Sequence, residues 1–270
     1  MMHRRTLLGA SLGAGVGAMG GVLAPSIGLA QPGSAVVTVA AASDLRFALD
    51  EVAADFEKRS GHSLRVVYGS SGQFYAQILQ GAPFQVFMSA DERLVFQLAD
   101  AGKTLNRGRL YAFGRIGVFT PHGSPLQPDG SLKDLGQALA DGRLNKLAMA
   151  NPEHAPYGAR AQEALTHAGL WQRLQPHLVF GENISQAAHF AVSGATQGGI
   201  IAYSLALAPQ LARLGRFELI PQNWHQPLAQ RMVVLKGAPP AAQAFYDHLA
   251  TPAAQALMAK YGFAIPPAAP

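Results

Sequence analysis

The feature that most constrains this chain is a repeated switch between two hydrophobic periods. AVVTVAAA, residues 35–42, is a continuous apolar run rich in β-branched residues, as expected of a strand covered on both faces. Ser43 and Asp44 break it. Leu45, Ala48, Leu49, Val52, Ala53 and Phe56 then recur at helical spacing, and Gly61 ends that helix. SLRVVYG reads as the next strand, SGQFYAQILQG as the next helix and FQVFMSA as a third strand. Parallel strands need crossover connections, and helices supply them, so this order predicts a parallel sheet with helices packed on it.

The segment RLYAFGRIGVFT, residues 109–120, reads as a longer strand interrupted by Gly114, after which the pattern begins again. LNKLAMA, HLVFGEN and GGIIAYS are strands, separated by helices over 157–168 and 184–193. QRMVVLKG is extended near the end, followed by helical stretches over 241–249 and 252–261. The prediction is an α/β chain of two lobes, each a mostly parallel sheet flanked by helices. Residues 31–113 start lobe one, residues 114–221 form lobe two, and residues 222–270 return to lobe one. Two extended crossings leave a ligand cleft between the lobes.

Residues 1–30 read differently. Arg4 and Arg5 precede an apolar, Gly/Ala-rich run from Leu7 to Leu23, and Gly28-Leu29-Ala30 offers small residues for cleavage. This pattern predicts an export signal, of the general secretory or twin-arginine type, cleaved near Ala30; a signal anchor is the alternative. Taking Arg4 and Arg5 from 21 basic residues leaves 19 against 16 acidic ones, a net charge of +3. That mild excess suits a small anion and lacks the Lys/Arg clusters of a nucleic-acid surface. With no cysteine the chain has no disulfide, thiol nucleophile or thiolate metal site.

Candidate chemistry concentrates where strands turn into helices. Ser43 occupies the first such turn, and Gly69-Ser70-Ser71-Gly72 the second. In the second half, Pro156-Tyr157-Gly158 and Asn183-Ile184-Ser185 open two more helices. A helix start carries unpaired N–H groups and about half a positive charge, so it holds an oxyanion without a charged side chain. Taken singly, each serine is better explained as a plain N-cap worth about 1 kcal/mol. At equivalent turns of successive βα units, at the carboxyl ends of the strands, the two together point to a ligand.

GSSG is not a G-x-S-x-G nucleophile elbow. His154, beside Glu153 on the loop entering the Tyr157 helix, is the best-placed base, yet no carboxylate is positioned by sequence to orient it. A structural loop histidine is the simpler reading. No H-x-x-x-H or carboxylate cluster marks a metal site, and no lysine-bearing phosphate loop is present.

At these turns the chain resembles the periplasmic molybdate-binding proteins that feed ABC transporters. The resemblance spans VAAASDL, YGSSGQFYAQILQGAPFQVFMSADE, NPEHAPYGARAQEAL, GENISQAAHFAVSGATQGGIIAYS and FYDHLATPAAQALMAKYGF, in that order. It implies a two-lobed, type II periplasmic binding-protein fold that holds molybdate or tungstate by neutral donors, with no cofactor. By position the ligand donors are Ser43 and Ser71, through hydroxyl and N–H, and the backbone N–H groups of Tyr157 and Ile184. Ser70, Asp44 and Tyr203 are secondary candidates. The family's tyrosine contact falls at Ala202, one residue before Tyr203, and Asp44 is expected to turn away from a dianion, capping its own helix. The implied protein is an exported, monomeric, non-enzymatic carrier that passes its oxyanion to a membrane permease. A binder of another oxyanion such as sulfate and a sensor of the same fold are alternatives. A secreted serine hydrolase is another, and it requires His154 within reach of Ser70 or Ser71, which the two-lobe arrangement predicts to be apart.

Overall fold

The computed structural model describes residues 35–267; the expected export signal lies outside them. Lobe one begins with β1 (Val36–Ala42), α1 (Arg46–Ser60), β2 (Ser63–Gly69), α2 (Ser71–Leu79), β3 (Val86–Ser89), α3 (Glu92–Asp100) and β4 (Arg109–Gly114). Lobe two holds β5 (Ile116–Pro121), α4 (Lys133–Ala140), β6 (Leu147–Ala150), α5 (Pro156–His167), α6 (Trp171–Leu174), β7 (Leu178–Gly181) and α7 (Ile184–Val192). It continues through β8 (Gly199–Ala202), α8 (Tyr203–Ala206), α9 (Pro209–Ala212) and β9 (Gly215–Leu219). The chain then returns with β10 (Leu228–Val234), α10 (Pro240–His248) and α11 (Pro252–Lys260).

Each lobe is built on one five-stranded sheet, in the orders β2-β1-β3-β10-β4 and β7-β6-β8-β5-β9. β1 pairs in parallel with β2 and β3, whereas β10 runs antiparallel to β3 and β4. Likewise β6 is parallel to β7 and β8, and β5 is antiparallel to β8 and β9. Each sheet is thus mixed but mostly parallel, as expected: four of its five strands run the same way, and one, β10 or β5, runs against them. Their antiparallel strands are those bordering the crossings: the long strand expected over 109–120 divides at Arg115, with β4 in one sheet and β5 in the other.

The periodicities explain the packing. Ala48, Leu49, Val52 and Phe56 form the buried stripe of α1, and Gly61 closes it at φ 71°, its N–H donating to the Glu57 carbonyl. β1 alternates little and is buried from Val39 to Ala42, since helices cover both faces. Replacing a core residue such as Leu49 by alanine costs about 2–5 kcal/mol. Besides the single-turn helices α6, α8 and α9, three elements were not anticipated. α3, capped by the Asp91 side chain, and α4 are short amphipathic helices, and β9 is a half-buried strand. No helix among the described residues is long and apolar enough to cross a membrane.

Candidate functional site

Four strand-to-helix turns meet in one small cavity, lined by Ser43, Asp44, Gly69, Ser70, Ser71, Ala90, Pro156, Tyr157, Asn183 and Ile184. Ser43, Asp44, Ser70 and Ser71 belong to lobe one, and Tyr157 and Ile184 to lobe two. The structure thus brings together six of the seven residues singled out from sequence. Tyr203 is the exception. It starts α8 rather than extending β8, and its ring stacks on Phe217 with centroids 5.5 Å apart, away from the cavity. A wider surface depression lined by Ile78, Lys103 and Lys236 lies outside this cleft.

The local hydrogen bonding sorts the donors. At the start of α7, the Asn183 side chain accepts from the Gln186 N–H (3.1 Å), and Ser43 Oγ accepts from the Ser185 N–H (3.2 Å). Among the described residues this leaves the Ile184 N–H of that turn for a ligand. At the start of α2, the Gly72 N–H donates to the His154 carbonyl (3.0 Å), leaving that of Ser71. α5 begins with Pro156, which has no N–H to offer, so Tyr157 presents the first. Ser71 Oγ accepts from the Ala90 N–H at 3.0 Å. Both serine oxygens are therefore engaged as acceptors, which frees each hydroxyl proton to donate into the cavity.

The lobes are in contact around this cavity. Ser185 Oγ donates to the Ser43 carbonyl (2.8 Å), and Gln73 Nε2 to Glu182 (2.8 Å). Arg160, only 3% exposed, reaches Asp91 across the cleft at 3.4 Å. Gly72 has a purpose the sequence did not reveal: a Cβ there would collide with the His154 carbonyl oxygen. The glycine makes room for the opposite lobe.

Asp44 does not cap its own helix. Its Oδ2 accepts from the Tyr157 hydroxyl (2.8 Å) and from Gln230 Nε2 (2.6 Å), and the Gln230 oxygen accepts from Tyr111 (2.7 Å). Burial pushes the Asp44 carboxyl up to about 6, against the lowering effect of Gln230 and then Tyr157. Burial likewise raises the Tyr157 and Tyr111 hydroxyls well above the usual phenol range, with the Asp44 charge adding to it. Gln230, Tyr111 and Ser185 were missed from sequence. Gln230 alone had a signal there, a polar residue inside the apolar run of the last strand.

The expected separation of Ser70 and His154 is overturned. His154 Nδ1 lies 3.1 Å from Ser70 Oγ, and its Nε2 is 3.5 Å from Glu182. Contact between the lobes brings them together. Ser70 is 2% exposed, and its hydroxyl donates to the His154 carbonyl at 2.5 Å, so its proton is directed at a backbone oxygen rather than at the imidazole.

Two sheets joined by short crossings, closed over a cavity ringed by helix starts, define a solute-binding protein. Residues 37–264 match the bacterial extracellular solute-binding proteins, and the chain belongs to that family. It is 37% identical over 245 residues to the molybdate-binding protein ModA of Rhodobacter capsulatus, covering 89% of this chain and 93% of that one. The ModA of Azotobacter vinelandii is 34% identical over 235 residues, covering 86% and 91% respectively. The solved structure of the Azotobacter vinelandii periplasmic molybdate-binding protein superposes with a TM-score of 0.77, covering 86% of this chain and all of that one, at 30% identity. The sulfate-binding protein SubI of Mycobacterium tuberculosis, at 19% identity and a TM-score of 0.70 over 85% of this chain and 86% of its own, shares the fold.

Proposed function

We propose that this protein captures molybdate in the interlobe cleft and delivers it to an ABC transporter. The observation that carries the reading is the donor set: two serine hydroxyls and three helix-start N–H groups, those of Ser71, Tyr157 and Ile184, around one small cavity with no cationic side chain lining it. A fully ionised tetrahedral dianion has only acceptor oxygens, which such donors satisfy. The relatives named for molybdate agree with this chemistry. Ser43 and Ser71 donate through hydroxyl and N–H, and Tyr157 and Ile184 through N–H. Tungstate, of the same shape and charge, fits the same donors. The chain is exported to the periplasm by a general or twin-arginine signal, acts as a monomer without a cofactor and hands its cargo to a membrane permease.

The test is a calorimetric titration of ligand-stripped protein with molybdate, tungstate, sulfate and phosphate. Binding of the first two alone supports the reading, and sulfate alone moves the substrate while keeping the fold. The Ser70–His154–Glu182 row favours a second reading, a serine hydrolase. Labelling of Ser70 by a fluorophosphonate probe would support it; an unlabelled Ser70 leaves the row as a contact between closed lobes.

A further inference from the structure

Asp44 is the one acidic residue among those lining the cavity, and the proposed donor set does not use its carboxyl. Asp44 is 1% exposed, and Oδ1 is buried with no hydrogen-bond partner. Oδ2 takes two side-chain donors, from Tyr157 of lobe two and Gln230 of β10, and the backbone N–H groups of Asp44 itself and Leu45 also favour the charged form, more weakly than burial opposes it. The groups facing it are Tyr157 on α5, Gln230 on β10 and, behind Gln230, Tyr111 on β4; Ser204 on α8 donates only to the Asp44 carbonyl. None carries a positive charge. An ionised carboxylate here would be buried without a counter-ion beside a site for a dianion, and both facts oppose ionisation.

Resting on the oxyanion-binding reading, we infer that Asp44 carries a proton in the ligand-bound state, so that closure over the oxyanion takes up one proton. Tyr157 reaches Asp44 from the opposite lobe, so opening the cleft returns the carboxyl to water and to its ordinary, lower range. The proton then has a structural place: it neutralises the one acid of the cavity and gives the orphaned side of the carboxyl a donor. The sign follows. The closed state binds more protons than the open one, so ligand affinity is greatest below the open-state value, falls as pH rises through the closed-state value of about 6, and levels off above it. A bound dianion raises that value further. Asp44 is in this sense a positioning residue for Tyr157 whose charge also sets the pH range of capture.

The experiment is a titration of wild type and Asp44→Asn with micromolar molybdate, a dianion throughout, from about pH 5 to about pH 8. Each is repeated in two non-oxyanion buffers of different ionisation enthalpy. Wild-type affinity should fall by up to about tenfold per pH unit over part of this range, with uptake of about one proton per molybdate. In Asp44→Asn the profile should be flat and the uptake close to zero. Tight binding with no pH dependence and no proton uptake in wild type overturns the inference while leaving the proposed function intact. An unchanged slope in the variant also overturns it. Should the variant not fold, the wild-type proton count still decides, and absence of molybdate binding at every pH overturns both readings.

Discussion

At the residue scale, the site is a set of hydroxyls and amides held in place by other backbone groups. Ser71 illustrates this: the Ala90 N–H fixes its oxygen, so its proton has one direction left. Ser71→Ala should weaken molybdate binding by about 1–3 kcal/mol, the usual cost of losing a hydrogen bond to a charged group, read by calorimetry. Tyr157→Phe keeps the helix start and its N–H but removes a donor from Asp44. Because that bond spans the two lobes and forms on closure, the expected cost is about 1–3 kcal/mol of molybdate affinity, measured by calorimetry. Ser43 and Ser71 were legible because a serine before a helix is a local signal. Tyr111 was not, because its partner Gln230 lies 119 residues away along the chain.

At the element scale, α2 serves two ends at once. Its first turn offers the Ser71 N–H to the cavity, while its second residue, Gly72, meets the other lobe. Gly72→Ala is expected to leave the open protein folded but obstruct closure, because the added methyl strikes the His154 carbonyl. Molybdate affinity should drop by more than about tenfold, a loss of at least about 1.4 kcal/mol, with an unchanged melting temperature of the ligand-free protein. Most strands and helices were readable from period alone, and the end of β1 was placed within a residue. α3, α4 and β9 escaped because each is short and its apolar face is narrow. The one reversed strand in each sheet escaped because hydrophobic runs carry no information on strand direction. RLYAFGRIGVFT is the clearest case, since continuous β-type sequence there spans two sheets with only Arg115 between them.

At the scale of the whole molecule, the two lobes communicate through few connections and many reversible contacts. Ligand that binds only the closed state stabilises the fold by mass action, about 4 kcal/mol at a thousandfold excess over Kd. A thermal-shift measurement should therefore show a raised melting temperature with molybdate and none with phosphate. The pairing of lobes was partly foreseeable, since the βα pattern starts twice. Which side chains would face each other across the cleft was not, and the approach of His154 to Ser70 shows why: it depends on how far the lobes close. The absence of any lysine, arginine or histidine among the cavity's lining residues has a further bearing, on the setting in which such a protein works. Fixed dipoles in a closed, dry pocket are hardly touched by the Debye screening that weakens attraction between solvated charges. A carrier built this way retains its cargo equally well in dilute and in briny surroundings, and so keeps scavenging a scarce nutrient whatever the saltiness outside the cell.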